Sequence, residues 1–304
     1  MAPPLRMRPV RVGFIIPALA EEHLLLTACL DHLRSAVAGV PEIDPHIVVV
    51  LQPSPDAPMP QLERAGAEIL RVETRGVALA RNAALDHLAG RVDALMFVDV
   101  AVRPGAAFLA AAVAQLDHAP LVSAPVAFSA DTPGQQPVDV GTVGVAFLIY
   151  RGFLWSSMMR ADAVGPLRFM ETIGPGTRSR HQAGEDSRLI YQIVARNQLR
   201  RIPFLSIPVA RLPRPDLGEK VKRYAYGQGY LVGQYIAHPL GGVRGFAYFG
   251  FRGALFLARS IAMLGQGRTR ATGTERIRAF CAGLRGRDRN VPPLQGRGLL
   301  SKDR

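Results

Sequence analysis

The residues best suited to chemistry in this 304-residue chain are carboxylates placed where secondary structure should end. The apolar run "LMFVDVAVRPG" (95–105) closes on Asp99, and the position two residues further on, where a second acid would complete a pair, is Ala101. Another acidic group, Glu185 and Asp186 in "GEDSRL", opens a stretch whose apolar positions 189, 190, 193 and 194 follow the helical period. Adjacent carboxylates at a helix N-terminus point in different directions, so one can orient a loop while the other takes a proton. The plain alternatives are a turn capped by Asp99 and a helix dipole stabilised by the acidic pair. Arg81 in "GVALARNAAL" (76–85) adds a planar fork that suits phosphate or a base edge.

Those residues need a scaffold, and the hydrophobic pattern supplies one. Apolar runs without alternation at 10–16, 46–51, 67–72, 93–99 and 120–126 read as buried strands, separated by helical patterns at 77–90, 105–116 and after Glu21. Strands of this kind interleaved with helices describe a mostly parallel sheet covered on both faces. Ligands of such sheets bind at the carboxyl ends of the strands, where Asp99 falls. Further on come an apolar stretch at 142–151, an expected short helix near 154–159, a polar glycine-bearing loop at 171–184 expected to cover the site, and a strand-like closing segment, "RIPFLSIPVARLP".

Composition bounds the setting. Two cysteines, Cys29 and Cys281, form no CxxC pair, so neither a disulfide framework nor a thiolate metal site is indicated, and a reducing, cytoplasmic compartment is expected. The N-terminal basic-apolar stretch is too short and too quickly acidic for a secretory signal and reads as an opening strand. The net charge of +13 is concentrated: residues 222–304 carry 15 Lys+Arg against 3 Asp+Glu. Such a segment suits anionic lipid or phosphate-bearing partners, or is a solvated basic tail. In 240–264, Arg244, Arg252 and Arg259 interrupt the apolar pattern, which argues against a spanning helix. It favours an amphipathic one that lies on the inner face of a membrane or packs as a homodimer arm. Nothing beyond this basic C terminus supports nucleic-acid binding.

Taken in order, "IIPALAE" (15–21), "GVALARNAAL", "FVDVAV" and "GEDSRL" resemble the turn, helix-start, D-x-D and late acidic motifs of the family-two nucleotide-sugar glycosyltransferases, over roughly residues 10–235. The resemblance implies a GT-A fold, a single Rossmann-like, mostly parallel mixed sheet flanked by helices in 1–217; beyond it the shift in composition reads as a basic, amphipathic helical C-terminal extension in 218–284 and a disordered basic tail in 285–304. It implies an inverting enzyme that uses a nucleoside diphosphate sugar, with an acceptor the sequence does not name. Asp186 would be the base with Glu185 beside it, Pro17, Leu19 and Glu21 would touch base and ribose, and Arg81 would approach the nucleotide. Asp99 would be the ligand of Mg²⁺ or Mn²⁺, and Arg223 and Tyr226 would close over the diphosphate.

The departures matter equally. Gln52 in "LQPS" replaces a carboxylate that the family aims at the nucleobase, Ala101 removes the second acid of the D-x-D, and Arg211 stands near the place of a metal-binding histidine. Either a divalent metal is held weakly by Asp99, waters and the diphosphate, the reading preferred from sequence, or Arg103, Arg211 and Arg223 replace it electrostatically. "GQGYLVG" (227–233) lacks the spacing of a dinucleotide fingerprint, and "GPGTRS" (174–179) lacks the P-loop lysine. His181, in the covering loop, reads as a solvated loop residue. The rival readings are a GT-A-shaped scaffold that has lost catalysis and, with less support, a nucleotidyltransferase, which would want a glycine-rich basic loop after the first strand.

Overall fold

The structure, a computed structural model, describes residues 8–54, 66–129, 137–177, 179, 181–213, 217–238, 240, 242–267 and 269–285, with only the backbone course given for 217–223. The expected basic tail and most of the 129–141 loop lie outside the described residues. In chain order the elements are β1 (Val10–Leu19), α1 (His23–Ala38), β2 (Ile43–Gln52), β3 (Glu68–Arg71), α2 (Val77–Leu88), β4 (Ala94–Phe97), β5 (Val102–Arg103), α3 (Ala106–Gln115), β6 (Leu121–Ser123), β7 (Val126–Phe128), β8 (Val140–Gly144), α4 (Val145–Arg151), β9 (Ser157–Arg160), α5 (Ala161–Val164), α6 (Glu185–Arg196), β10 (Arg201–Leu205), β11 (Val209–Arg211), α7 (Leu217–Ala237), α8 (Gly242–Ala262) and α9 (Arg270–Arg285).

Eight strands form one sheet in the order β3-β2-β1-β4-β9-β6-β10-β8, and β5-β11-β7 form a smaller one. The strands β1, β2, β3 and β4 run parallel, the apolar runs of β1, β4 and the second half of β2 being buried, whereas β9 enters antiparallel between β4 and β6. This is the mixed sheet expected, with one local correction. Residues 145–151 are helical, and 157–160, expected near the end of a short helix, are strand.

Two prolines build the small sheet. The runs 120–126 and 201–213 each read as one strand, but Pro125 and Pro208, which have no N–H to donate to a ladder, stand where each run leaves the large sheet. Each run therefore splits: β6 and β10 pair in the large sheet, β7 and β11 in the small one. The Val209 N–H donates to the Pro125 carbonyl at 2.9 Å, which fixes the crossing.

By internal packing the described chain divides into two units, one of residues 1–143, 153–168 and 201–213, the other of 144–152, 169–200 and 214–304. The first holds both sheets over a core that includes Phe14, Ile16, Leu30, Leu33, Met96, Phe108 and Trp155. Burying each of these large side chains is worth roughly 1.5–3 kcal/mol. The second is helical. Phe256 of α8 stacks on Phe280 of α9 at 4.5 Å between centroids, and Ala225 and Val232 of α7 complete that core. Among the described residues no helix is long and apolar enough to cross a membrane.

Candidate functional site

In the sheet unit, β1 and β4 stay in register from Val12–Ala94 to Ile15–Phe97 and then part. Past that point Pro17 continues β1 opposite Val50 of β2, and because β4 no longer pairs beside it, its missing N–H leaves no gap on that side. Asp99 follows two residues past the end of β4, where β1 and β4 have parted. Arg81, on the second turn of α2, has a side chain only 3% exposed and reaches Asp99 Oδ1 with Nη2 at 3.2 Å. Its guanidinium lies 5.7 Å from the centre of the Phe97 ring.

Arg211 reaches the same carboxylate from β11. The β11–β5 register sets Arg211 opposite Val102, and the Leu212 N–H donates to the Ala101 carbonyl at 2.9 Å. The Arg211 Nη2 lies 3.4 Å from Asp99 Oδ2, and its guanidinium sits 5.1 Å from the ring of Trp155, the only tryptophan in the chain. A carboxylate between two aromatic-backed guanidinium groups leaves the cluster cationic.

The turn that presents Asp99 is held from beneath by Arg103, which the sequence offered as a stand-in for a metal and which the structure instead ties to the backbone, and by Cys29 and His32, which sequence reasoning missed. Arg103 is buried and donates Nη1 to the Val100 and Val102 carbonyls at 2.9 and 2.8 Å, so its fork is occupied with the turn. The Cys29 Sγ on α1 lies 3.9 Å from the Asp99 carbonyl and 3.8 Å from that of Val102, and burial pushes its thiol up to about 11. His32, one turn along, meets the Pro104 carbonyl at 3.0 Å, and burial lowers its pKa. Only the one-face spacing of Cys29 and His32 on α1 could have hinted at this.

The other sequence-predicted residues of this unit gather at the same ends of β1 and β2. Leu19 ends β1 and donates its N–H to Glu22 Oε2 at 3.2 Å. Glu21 accepts from Ser54 Oγ and from Arg75 Nη2, the latter at 3.4 Å. Gln52 is buried, and its Oε1 accepts the Gly76 N–H at 2.8 Å, closing the entry to α2. An amide at this position thus joins the end of β2 to the turn that launches Arg81.

In the helical unit, Glu185 and Asp186 form the first turn of α6, as the acidic start implied. They do face differently: Glu185 is buried and Asp186 is half-buried. The backbone of Gly174, at φ +105°, is packed against Glu185 so closely that a Cβ there would stand 3.0 Å from the carboxylate. Glu185 is therefore tied to the loop that carries Gly174, and Asp186 is the more accessible acid.

His181 corrects the sequence reading. It is fully buried, with Tyr226 and Tyr230 of α7 each edge-on at 4.7 Å between ring centroids. Tyr226 thus helps to hold the loop. Arg223 lies on the backbone of α7, its side chain outside the described residues. The glycines of "GQGYLVG" also find their reason. A Cβ at Gly229 would overlap the Phe280 carbonyl, one at Gly233 would lie 3.0 Å from the Leu284 carbonyl, and one at Gly227 would overlap the Ala183 carbonyl. These glycines let α7 approach α9 and the residues just before α6 backbone to backbone.

A divalent metal finds a poor donor set here. Both oxygens of Asp99 meet guanidinium groups, and among the described residues no three His, Cys, Asp or Glu side chains cluster. Sheet, helices and strand-tip acid together define a GT-A fold.

Solved structures bear this out. Residues 1–349 of S. aureus TarS superpose with a TM-score of 0.60 at 15% identity, covering 90% of this chain and 81% of that one. The same protein in complex with UDP-GlcNAc gives 0.60 at 14% identity, with 90% and 81% covered. The mannosyltransferase PcManGT from Pyrobaculum calidifontis, in complex with GDP-Man and Mn²⁺, gives 0.56 at 15% identity, with 91% and 86% covered. The sequence matches no protein-family model and shows no significant match among curated proteins.

Proposed function

We propose that the protein is an inverting glycosyltransferase that moves a sugar from a nucleoside diphosphate sugar to an acceptor hydroxyl. The observation that carries this reading is the arginine-flanked Asp99 at the carboxyl end of β4 in a GT-A sheet, a cationic cluster where such sheets take ligands. The UDP-GlcNAc and GDP-Man bound by the structural neighbours support a nucleotide sugar as donor. In the reaction the acceptor oxygen bonds to the anomeric carbon while the bond from that carbon to the diphosphate oxygen breaks. The electron pair leaves with the diphosphate, and the acceptor proton passes to the Asp186 carboxylate. Attack on the face opposite the leaving group inverts the anomeric centre. Glu185 positions the loop, and the cationic cluster opposes the growing negative charge.

A thermal-shift screen of nucleoside diphosphates, their sugars and nucleoside triphosphates tests the reading. A ligand of the folded state at about 100 times its Kd adds about 2.7 kcal/mol and raises the melting temperature. Diphosphates and their sugars should do so. A response confined to triphosphates would favour a nucleotidyltransferase, and no response to any would favour a scaffold.

A peripheral position at the cytoplasmic face of a membrane fits α8. Val243, Phe246, Phe251 and Ile261 are 84%, 51%, 63% and 57% exposed on this helix, beside exposed Arg244 and Arg259. Arg252 instead turns inward over Tyr150 at 4.3 Å. Apolar side chains flanked by arginines are the pattern of a helix that lies on anionic lipid. Sedimentation with phosphatidylserine vesicles should carry the protein down, and Phe246→Ser with Phe251→Ser should leave it in the supernatant. Equal sedimentation of both forms would remove α8 from the contact.

A further inference from the structure

We propose that Arg81 and Arg211 supply the positive charge that opposes the donor's diphosphate, in place of a divalent metal ion; the inference rests on the nucleotide-sugar reading and specifies how the donor is held. Asp99 is the one acid at the strand tip, and it is shared, Oδ1 with Arg81 at 3.2 Å and Oδ2 with Arg211 at 3.4 Å. Magnesium and manganese bind through carboxylate and phosphate oxygens. An ion on Asp99 would have to sit beside two guanidinium charges, and like charges so close repel. A diphosphate meets the opposite situation, because planar forks with five N–H donors each are suited to its oxygens.

Both arginines are held in place before any ligand arrives. The Arg81 side chain is 3% exposed near Phe97, and that of Arg211 is 19% exposed beside Trp155, at the end of a strand whose pairing fixes its direction. Donors fixed in advance oppose developing charge without reorganising. Asp99 then acts as a positioning residue that holds the two forks at a common point. Ala101, where a second acid would stand, is 1% exposed, so a carboxylate there would be buried.

Isothermal titration calorimetry of the full chain with UDP and GDP, in EDTA and again with MnCl₂, decides the matter. The tighter of the two probes should bind with a dissociation constant that agrees within about threefold between the buffers, less than 1 kcal/mol apart. Arg211→Gln, which keeps the side chain beside Trp155 but removes the charge, should weaken binding by about tenfold or more in both buffers, as loss of a charge-assisted contact does. Its melting curve shows whether it is folded, and if it is not, the wild-type comparison alone is decisive. Binding seen only with Mn²⁺ would overturn this inference and leave the nucleotide-sugar reading standing. Absence of binding in both buffers would overturn both, and tight binding by folded Arg211→Gln in EDTA would overturn the part given to Arg211.

Discussion

The tip of β4 and the start of α6 both present carboxylates, but they are held by different means. At Asp99 charge is held by charge: two guanidinium groups converge from α2 and β11, each near an aromatic ring, on a turn tied down by Arg103, Cys29 and His32. At Glu185 and Asp186 backbone is held by backbone, through glycines that let a loop and two helices come within contact of one another. The first arrangement presents positive charge on side chains already fixed by their partners. The second keeps a carboxylate accessible on a support that tolerates no added side-chain atom. Substitutions should therefore separate binding at the first from turnover and stability at the second.

The widest separation is expected from Asp186→Asn. The substitution is nearly isosteric and leaves the first turn of α6 intact while removing the proposed proton acceptor, so transfer should fall by about a thousandfold, within the usual range for loss of a general base. Nucleoside diphosphate affinity measured by calorimetry should stay within about twofold, because a base contributes to the transition state rather than to ground-state binding. Weakened nucleotide binding with normal turnover would reverse the roles assigned to the two regions.

Next in size is Gly283→Ala on α9. Its Cβ would overlap the Tyr226 carbonyl and lie 2.7 Å from the Tyr230 nitrogen, both backbone atoms of α7 that cannot turn aside. Overpacking of this kind costs typically 1–3 kcal/mol, and a value of about 3 kcal/mol is expected here from urea unfolding. Tyr226 and Tyr230 also flank His181, so proteolysis of the 171–184 loop should quicken in parallel. Unchanged stability would mean that α7 and α9 are not packed as described.

The contrast also explains what could be read from sequence. The parallel strands, the position of Asp99 and the acidic opening of α6 were legible because each is a local pattern: an unbroken apolar run, an acid at its end, a glycine before two acids and a 3.6-residue period. The strand at 157–160 was not, since four residues are too few to show a period and "SMMR" serves helix and strand equally. The small sheet was hidden because Pro125 and Pro208 act together only once β7 and β11 meet. A histidine in a polar loop looks solvated until two tyrosines 45 and 49 residues later close on His181. The pairing of Asp99 with Arg211 likewise depends on a strand register across more than a hundred residues.

A control for the strand-tip cluster lies at the other end of the same strand. Asp93 precedes β4 and accepts two bonds from the Arg11 side chain, 3.1 Å to Nε and 2.8 Å to Nη2, and a third from the Arg11 backbone N–H at 3.1 Å. The Arg11 side-chain bonds, with help from the backbone bond and the charge itself, lower its pKa to about 2 from 3.8. A carboxylate whose folded pKa is depressed contributes its stabilisation above the unfolded value and loses it as pH falls through the folded one. The Asp93 contribution should accordingly be complete above about pH 4 and fade toward pH 2. The side chain is 31% exposed, so solvent screening reduces the worth of the pair to about 1 kcal/mol. Asp93→Asn should cost that much in urea unfolding at pH 7, the difference from wild type should vanish near pH 2, and nucleotide affinity should not change. If the same substitution weakened nucleotide binding as Arg211→Gln does, the strand-tip cluster would no longer be distinct from an ordinary structural ion pair.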